Sequence, residues 1–463
     1  MSLRRLSLGI GSTLFDKIIV AVIQLLLVPL LSNAWGLSLY GTWAMMTTIP
    51  SMLALSDFGI VSSAWARMTM FMSRGQPVQA RAALHTAWLT ASLICVLAIA
   101  ISIAVLALLP AEQTGGANQL SGAEFKAAAL ALVLYGLGVI MTRLNTIVFR
   151  AAGNYTLAVW CSTTFFTLEN LALVAAVLSG AGLVIAAATL LAARAVCIVG
   201  VFLLAKLRYR EVSPGFSHAS WSEWREMWRP ALSSSLLGFG SLAFLQVSVL
   251  VLGFIAGSAA VPAFVAVRTL SRIGLQIAMM VANPAAQEFA QKMSIEQHFR
   301  AGRYFGLVAA TALVMGLGMA VGLALLGMRF IDFWTGGAIT ASFPLILFMA
   351  LSSAGAVMWN ALSSLISALN RQGAIAHLSV LISTIGIGVI LVLAGRIGTN
   401  AAGLAYAVTD IGTAIALLLF VRRTWWRDAE FRRGAWAAVA QLRTPVSTLR
   451  AIRHDRIDRL EER

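Results

Sequence analysis

Twelve runs of about 20 largely apolar residues, the length a helix needs to cross a bilayer core, follow one another along this 463-residue chain. They lie at roughly 10–32, 38–64, 84–109, 126–149, 156–179, 182–205, 231–255, 259–285, 304–328, 342–368, 374–395 and 400–421. Connections are short, the longest at 206–230 and 286–303. Composition agrees: 59% of residues are hydrophobic and 11% charged, against roughly a quarter charged in a soluble domain. No soluble fold hides that much apolar surface, which excludes a cytosolic enzyme, a secreted disulfide scaffold and a disordered chain. The expected class is an all-α polytopic membrane protein of twelve transmembrane helices.

The net charge of +16 follows topology. Of the 34 Lys and Arg, 26 fall on one set of alternate loops and on the tail after 422, and three (Lys126, Arg329, Arg396) fall on the other. Lys and Arg stay on the cytoplasmic side, so both termini are expected in the cytoplasm, and no nucleic-acid partner is expected. Arg4 and Arg5 before an apolar run imitate a signal peptide, and Ser32-Asn33-Ala34 imitates its cleavage site. Asp16 and Lys17 inside the run, and its length, argue that the segment is retained as a span.

The central loop parts six spans from six. The expected organisation is an N-terminal six-helix bundle (1–205), an amphipathic linker (206–230), a C-terminal six-helix bundle (231–421) and a basic tail (422–463). An even number of spans gives both halves one orientation, the parallel-repeat pattern of transporters with a site near the midplane. In the linker, Ser220-Trp221-Ser222-Glu223 reads as a capping box. Trp221, Trp224 and Trp228 share one face of a short interfacial helix. The tail, with Trp425, Trp426, Trp436 and its arginines, reads as a membrane anchor.

Cys95, Cys161 and Cys197 sit in apolar runs without CxxC spacing, and the five histidines are scattered. Neither a disulfide nor a metal site is expected. No Walker loop is present. No cofactor is expected.

Nine ionisable residues interrupt the spans: Asp16, Lys17, Asp57, Arg143, Glu169, Arg194, Arg268, Arg272 and Asp410. At about 2.5–3.5 kcal/mol each at mid-bilayer, they must be paired, snorkelling or facing water. Glu169 and Arg194 stand twelve and thirteen residues either side of Ala181, so an antiparallel hairpin brings them level, and a structural ion pair is expected. Arg143 is near enough to its helix end to snorkel; snorkelling and function are equal readings. Asp16 and Lys17, about 100° apart, do not simply face each other. Arg268, Arg272, Gln276 and Asn283 fall within about 80° on one helix face. No acid lies within that span to neutralise the stripe, which is expected to face a watery cavity. Two guanidinium groups one turn apart suit phosphate oxygens; an interhelix structural network is the bland alternative. Asp57 and Asp410 read equally as ion-coupling carboxylates and as counter-ions for the arginines.

Gln24-Leu25-Leu26-Leu27-Val28-Pro29-Leu30-Leu31, Gly36, Tyr40-Gly41-Thr42-Trp43 and Leu55-Ser56-Asp57-Phe58-Gly59 resemble the N-terminal pattern of bacterial polysaccharide and O-antigen repeat-unit flippases. Their superfamily also holds multidrug-and-toxin extruders and peptidoglycan-precursor flippases. Span eight adds Arg268, Arg272 and Pro284, and the topology extends the resemblance over the whole chain. The resemblance implies a V-shaped pair of bundles working by alternating access. It implies an undecaprenyl-pyrophosphate-linked oligosaccharide carried to the outer leaflet, H+ or Na+ as coupling ion, and association with other polysaccharide assembly proteins. It implies Arg268 and Arg272, and more weakly Arg143, as head-group contacts. Gln276 and Asn283 join them through the stripe. Asp57 is the acid of the family pattern; Asp410 and Asp16 stand beside it as candidate coupling or counter-ion groups.

Two rival readings remain. An ion-coupled multidrug exporter of the same fold would favour a carboxylate-dominated cavity. A membrane polysaccharide polymerase or ligase would need catalytic groups on an outer loop, and the outer stretch 110–125 holds no His or Arg. No enzyme is expected.

Overall fold

The computed structural model describes residues 3–54, 57, 59–108, 121–369, 371 and 373–442. The tail 443–463, residues 110–120 of the outer stretch, and Leu55, Ser56 and Phe58 of the N-terminal pattern lie outside them. Fifteen α-helices run along the described residues: α1 (Leu3–Met46), α2 (Thr48–Leu53), α3 (Ile60–Ser73), α4 (Pro77–Leu108), α5 (Gly122–Ala151), α6 (Tyr155–Leu178), α7 (Leu183–Arg208), α8 (Trp221–Ala256), α9 (Val261–Ser271), α10 (Ile273–Ser294), α11 (His298–Thr335), α12 (Phe343–Ala368), α13 (Gly373–Ile397), α14 (Thr399–Thr424) and α15 (Ala429–Leu442). Among the described residues, ten helical stretches are long and apolar enough to cross a membrane. The first of them, Gly11–Leu53, holds two expected spans, parted where Gly36 turns left-handed at φ 69°. A Cβ makes that conformation costly, so glycine is the residue that permits the break. With α8 added, every expected span has a helix.

Three elements differ from the sequence reading. Span 38–64 is not one helix: it breaks after α2, turns through Ala54, Asp57 and left-handed Gly59 (φ 73°), and resumes as α3. Residues 220–229 do not form a separate helix but the start of the 36-residue α8. The capping box there does not form. The Ser220 N–H donates to Thr86 Oγ1 (3.0 Å), and Glu223 is taken by Arg67, whose Nη2 stands 2.8 Å from its carboxylate. A complete box caps α5 instead, where Ser121 Oγ accepts from the Glu124 N–H and Glu124 Oε2 from the Ser121 N–H. Trp221, Trp224 and Trp228 stack in series along α8, at 4.5 and 5.2 Å between ring centroids.

The helices gather into two compact units. The first comprises 1–266 with 330–340 and 390–399. Its core joins α3, α4, α5 and the start of α8 through Met68, Leu84, Ile140, Leu144 and Met227. Close packing depends on Gly136, where an added Cβ would come within 2.5 Å of the Pro50 backbone in α2. The second comprises the described residues of 267–329, 341–389 and 400–442. It is built on α10, α11, α12 and α14, with Phe289, Phe305, Leu362, Leu417 and Trp425 in its core.

Helix α15 belongs to this second unit and is held by backbone contact. A methyl on Gly302 or Gly306 of α11 would collide with the carbonyl of Phe431 or Ala435, and one on Gly434 with the carbonyl of Phe299. Asp428 begins α15, accepting from the Phe431 N–H at 3.1 Å and pairing with His298 at the start of α11. Trp425 beside this turn is buried among Phe289, Phe305 and Phe431.

Candidate functional site

The richest polar cluster of the second unit forms where α9 meets α10. The helical ladder loosens there. The Arg272 N–H is shared between the carbonyls of Arg268 (3.2 Å) and Thr269 (3.3 Å), and the Gln276 N–H reaches Arg272 at 3.4 Å. From α14, Tyr406 and Asp410 project one turn apart, both buried. From α12 come Ser352 and Trp359, seven residues apart and so on one helix face. Arg272 Nη2 lies 2.9 Å from Asp410 Oδ2. Ser352 Oγ donates to the same oxygen at 2.5 Å, and Trp359 Nε1 to Oδ1 at 2.8 Å. The Arg272 guanidinium also lies 5.4 Å from the centre of the Tyr406 ring, within cation–π range. Arg268 Nη1 donates to the Tyr406 hydroxyl at 3.4 Å.

Gly355 makes this meeting geometrically feasible. A Cβ there would stand 2.7 Å from the backbone of Asp410 and Ile411, so only glycine lets α12 and α14 approach closely enough for Ser352 and Trp359 to reach the carboxylate. The Arg272 side chain keeps 19% of its surface exposed, while its buried Nε has no hydrogen-bond partner.

The arginine stripe is therefore not unneutralised. Its acid comes from another helix, Asp410 on α14, 138 residues along the chain from Arg272. Farther along α10, Gln276 is half-buried and Asn283 exposed. Neither side chain makes a hydrogen bond with the cluster among the described residues. Tyr406, Ser352 and Trp359 went unread in the sequence. The four-residue Tyr406–Asp410 spacing was the available signal, since it puts both on one face of α14.

Besides the Arg67–Glu223 pair, the first unit carries three separate charge sites built on the sequence-predicted residues. Glu169 Oε2 and Arg194 Nη2 are 2.6 Å apart. Tyr135 bridges them, its hydroxyl accepting from Arg194 (3.2 Å) and donating to Glu169 (3.1 Å). Gly138 clears space for the Arg194 stem: a Cβ there would lie 2.8 Å from Arg194 Cγ. Asp57 sits in the turn between α2 and α3, where its Oδ1 accepts the Gly59 N–H at 3.0 Å. Its other oxygen is 3.5 Å from Arg143, which is half-exposed and also donates to the Ala54 carbonyl at 3.3 Å. Asp16 accepts from Thr163 at 2.7 Å. It also pairs with Lys17 at 3.5 Å, contrary to the helical-wheel expectation, because a long lysine stem can fold back around its own helix. The cysteines are free, and the described residues hold no group of His, Cys, Asp or Glu suited to a metal.

No family model matches the sequence, and no curated protein does. Solved structures do. An inward-facing multidrug resistance MATE family transporter of the MOP superfamily matches at TM-score 0.68 and 14% identity, over 88% of this chain and 98% of that one. The lipid II flippase MurJ, inward closed, matches at TM-score 0.69 and 14% identity, over 95% and 92%. A MOP superfamily transporter from Pyrococcus furiosus, whose reversed pocket polarity suggests a different function, matches at TM-score 0.55 and 13% identity, over 91% and 94%. The chain shares the fold of these transporters. Within that fold the guanidinium groups of Arg268 on α9 and of Arg272 at the α9–α10 junction form, with the carboxylate of α14, a cluster internal to the second unit.

Proposed function

We propose that the protein is a flippase of the bacterial inner membrane, with both termini cytoplasmic, that moves an undecaprenyl-pyrophosphate-linked oligosaccharide to the outer leaflet by alternating access of two six-helix bundles. The observation that carries this reading is the Arg268–Arg272 cluster, two arginines one turn apart held by Tyr406 and Asp410, with the Arg272 side chain partly exposed. A sugar pyrophosphate is prohibitively costly in hydrocarbon because its charges and hydroxyls lose water. Arginines held by protein contacts replace that water without reorganising, while the polyprenyl tail stays in lipid.

Asp410 acts here as the resident counter-ion. A pyrophosphate competes with it for Arg272, and the carboxylate takes the guanidinium back when the substrate leaves. Protonation or Na+ binding at Asp410, with Asp57 and Asp16 as further candidates, supplies the coupling. The fold is shared with a lipid II flippase and with multidrug transporters, so fold alone does not choose between them. The site favours an anion, since the cluster of α9, α10, α12 and α14 brings two guanidinium groups and one carboxylate.

The test is transfer of a fluorescent lipid-linked sugar across proteoliposomes. The Arg268→Gln/Arg272→Gln protein is expected to fold and to lose transfer, with substrate mass unchanged by the wild-type protein. Wild-type transfer by the double variant would overturn the assignment.

A further inference from the structure

The end of α14, the following turn and the first turns of α15 enclose a second cationic site. Arg422, Arg423, Arg427 and Arg432, with Leu419 and Trp426, line a cleft of about 450 Å³. All four arginines are exposed. Among the described residues none of them is in an ion pair, because the nearby acids are engaged elsewhere: Asp428 with His298 and Glu430 with Arg433. Like charges gathered this closely repel one another, so an anion seated among them relieves a standing cost.

The cleft is also stiff. The Arg432 guanidinium donates to the Trp426 carbonyl at 3.0 Å. Trp425 anchors the turn in the aromatic core, and the backbone contacts at Gly302, Gly306 and Gly434 fix α15 against α11. Its position adds the second half of the argument. Leu419, nearly half exposed, lies inside a helix apolar enough to cross a membrane, and Arg422 and Arg423 close that same helix. The cleft therefore runs from an apolar wall to four guanidinium groups across the depth at which a bilayer changes from acyl chains to phosphates, with a tryptophan at the boundary.

We propose that this cleft binds the phosphate of an anionic phospholipid, with the lipid's chains against Leu419 and the neighbouring surface of α14. The site stands apart from the α9–α10 cluster and does not depend on what that cluster carries.

The experiment is a native mass-spectrometric titration of the delipidated full-length protein with phosphatidylglycerol, phosphatidylcholine and inorganic phosphate. Phosphatidylglycerol is expected to be retained in preference to phosphatidylcholine. Arg423→Gln/Arg427→Gln, at positions with no hydrogen bond to the turn, is expected to weaken that retention by roughly tenfold. Arg208→Gln/Arg210→Gln, an equal loss of charge on an exposed segment elsewhere, is expected to leave it unchanged. An equal loss in both variants, or no preference between the lipids, would overturn the proposal. Full displacement of phosphatidylglycerol by inorganic phosphate would also overturn it and assign the cleft to a free anion. A lipid-free melting temperature within about a degree of wild type establishes that the variant is folded.

Discussion

Asp410→Asn is the perturbation that most directly examines the α9–α14 cluster. At the observed separation of 2.9 Å, a unit charge pair in a medium of effective dielectric ~20 interacts by about 6 kcal/mol before desolvation is counted. Removing one partner of a buried pair costs about 3–5 kcal/mol, because the other charge stays behind uncompensated. Arg272 keeps 19% of its side-chain surface and the Tyr406 ring, which lowers the expectation to about 2–4 kcal/mol. Arg272→Gln should cost less, about 1–2 kcal/mol, since Asp410 retains Ser352 and Trp359 as donors. Unfolding in mixed micelles, followed by tryptophan fluorescence, measures each variant and the double variant Asp410→Asn/Arg272→Gln. The double variant removes the orphaned charge, so the two costs should fail to add, with a coupling of about 1–3 kcal/mol. Additivity within about 0.5 kcal/mol would refute the claim that the two groups hold one another. In the flipping assay both Arg272→Gln and the double variant should be inactive, because each lacks the guanidinium that meets the anion.

Two further predictions concern glycine spacing and pH. Gly355→Ala forces α12 and α14 apart by about 0.7 Å to reach ordinary contact with the Asp410 backbone. It should destabilise by about 1–3 kcal/mol in the same unfolding assay, whereas Gly318→Ala, with nothing within 4 Å, should be neutral or slightly stabilising. Asp428 titrates below its usual value of 3.8, held down first by the hydrogen bond with His298 and then by the Phe431 N–H. A depressed carboxylate contributes its stabilisation above the unfolded value and loses it as pH falls through the folded one. The clamp on α15 should therefore persist above pH 3.8 and open below it, read as release of α15 to limited proteolysis by an acid-stable protease. His298→Ala should move that opening to higher pH, and an unchanged profile would sink the role given to the pair.

The helices were legible because a bilayer imposes one length and one composition on every crossing segment. Tertiary contacts were not. Nothing local to Ser220 and Glu223 distinguishes a capping box from a glutamate claimed by Arg67, 156 residues away. Counting 100° per residue puts Arg268 and Arg272 on one face, yet it says nothing of the α14 carboxylate that arrives there. Near-equal distances from the Gly180–Gly182 turn place Glu169 and Arg194 level, because a tight hairpin conserves depth. The Tyr135 bridge comes from a helix outside that hairpin and has no such signature. Asp57 reads as a deep residue in a continuous span until the chain is seen to break on both sides of it.

The glycine contacts between α11 and α15 leave no side-chain layer between the two backbones. Ordinary helix pairs slide because rotamers yield; here carbonyl meets Cα, and neither can give. Helix α15 thus acts as a splint on α11. Whatever rotation brings the near end of α11 to a new position must carry α15, and the arginines of its first turns, through the same arc.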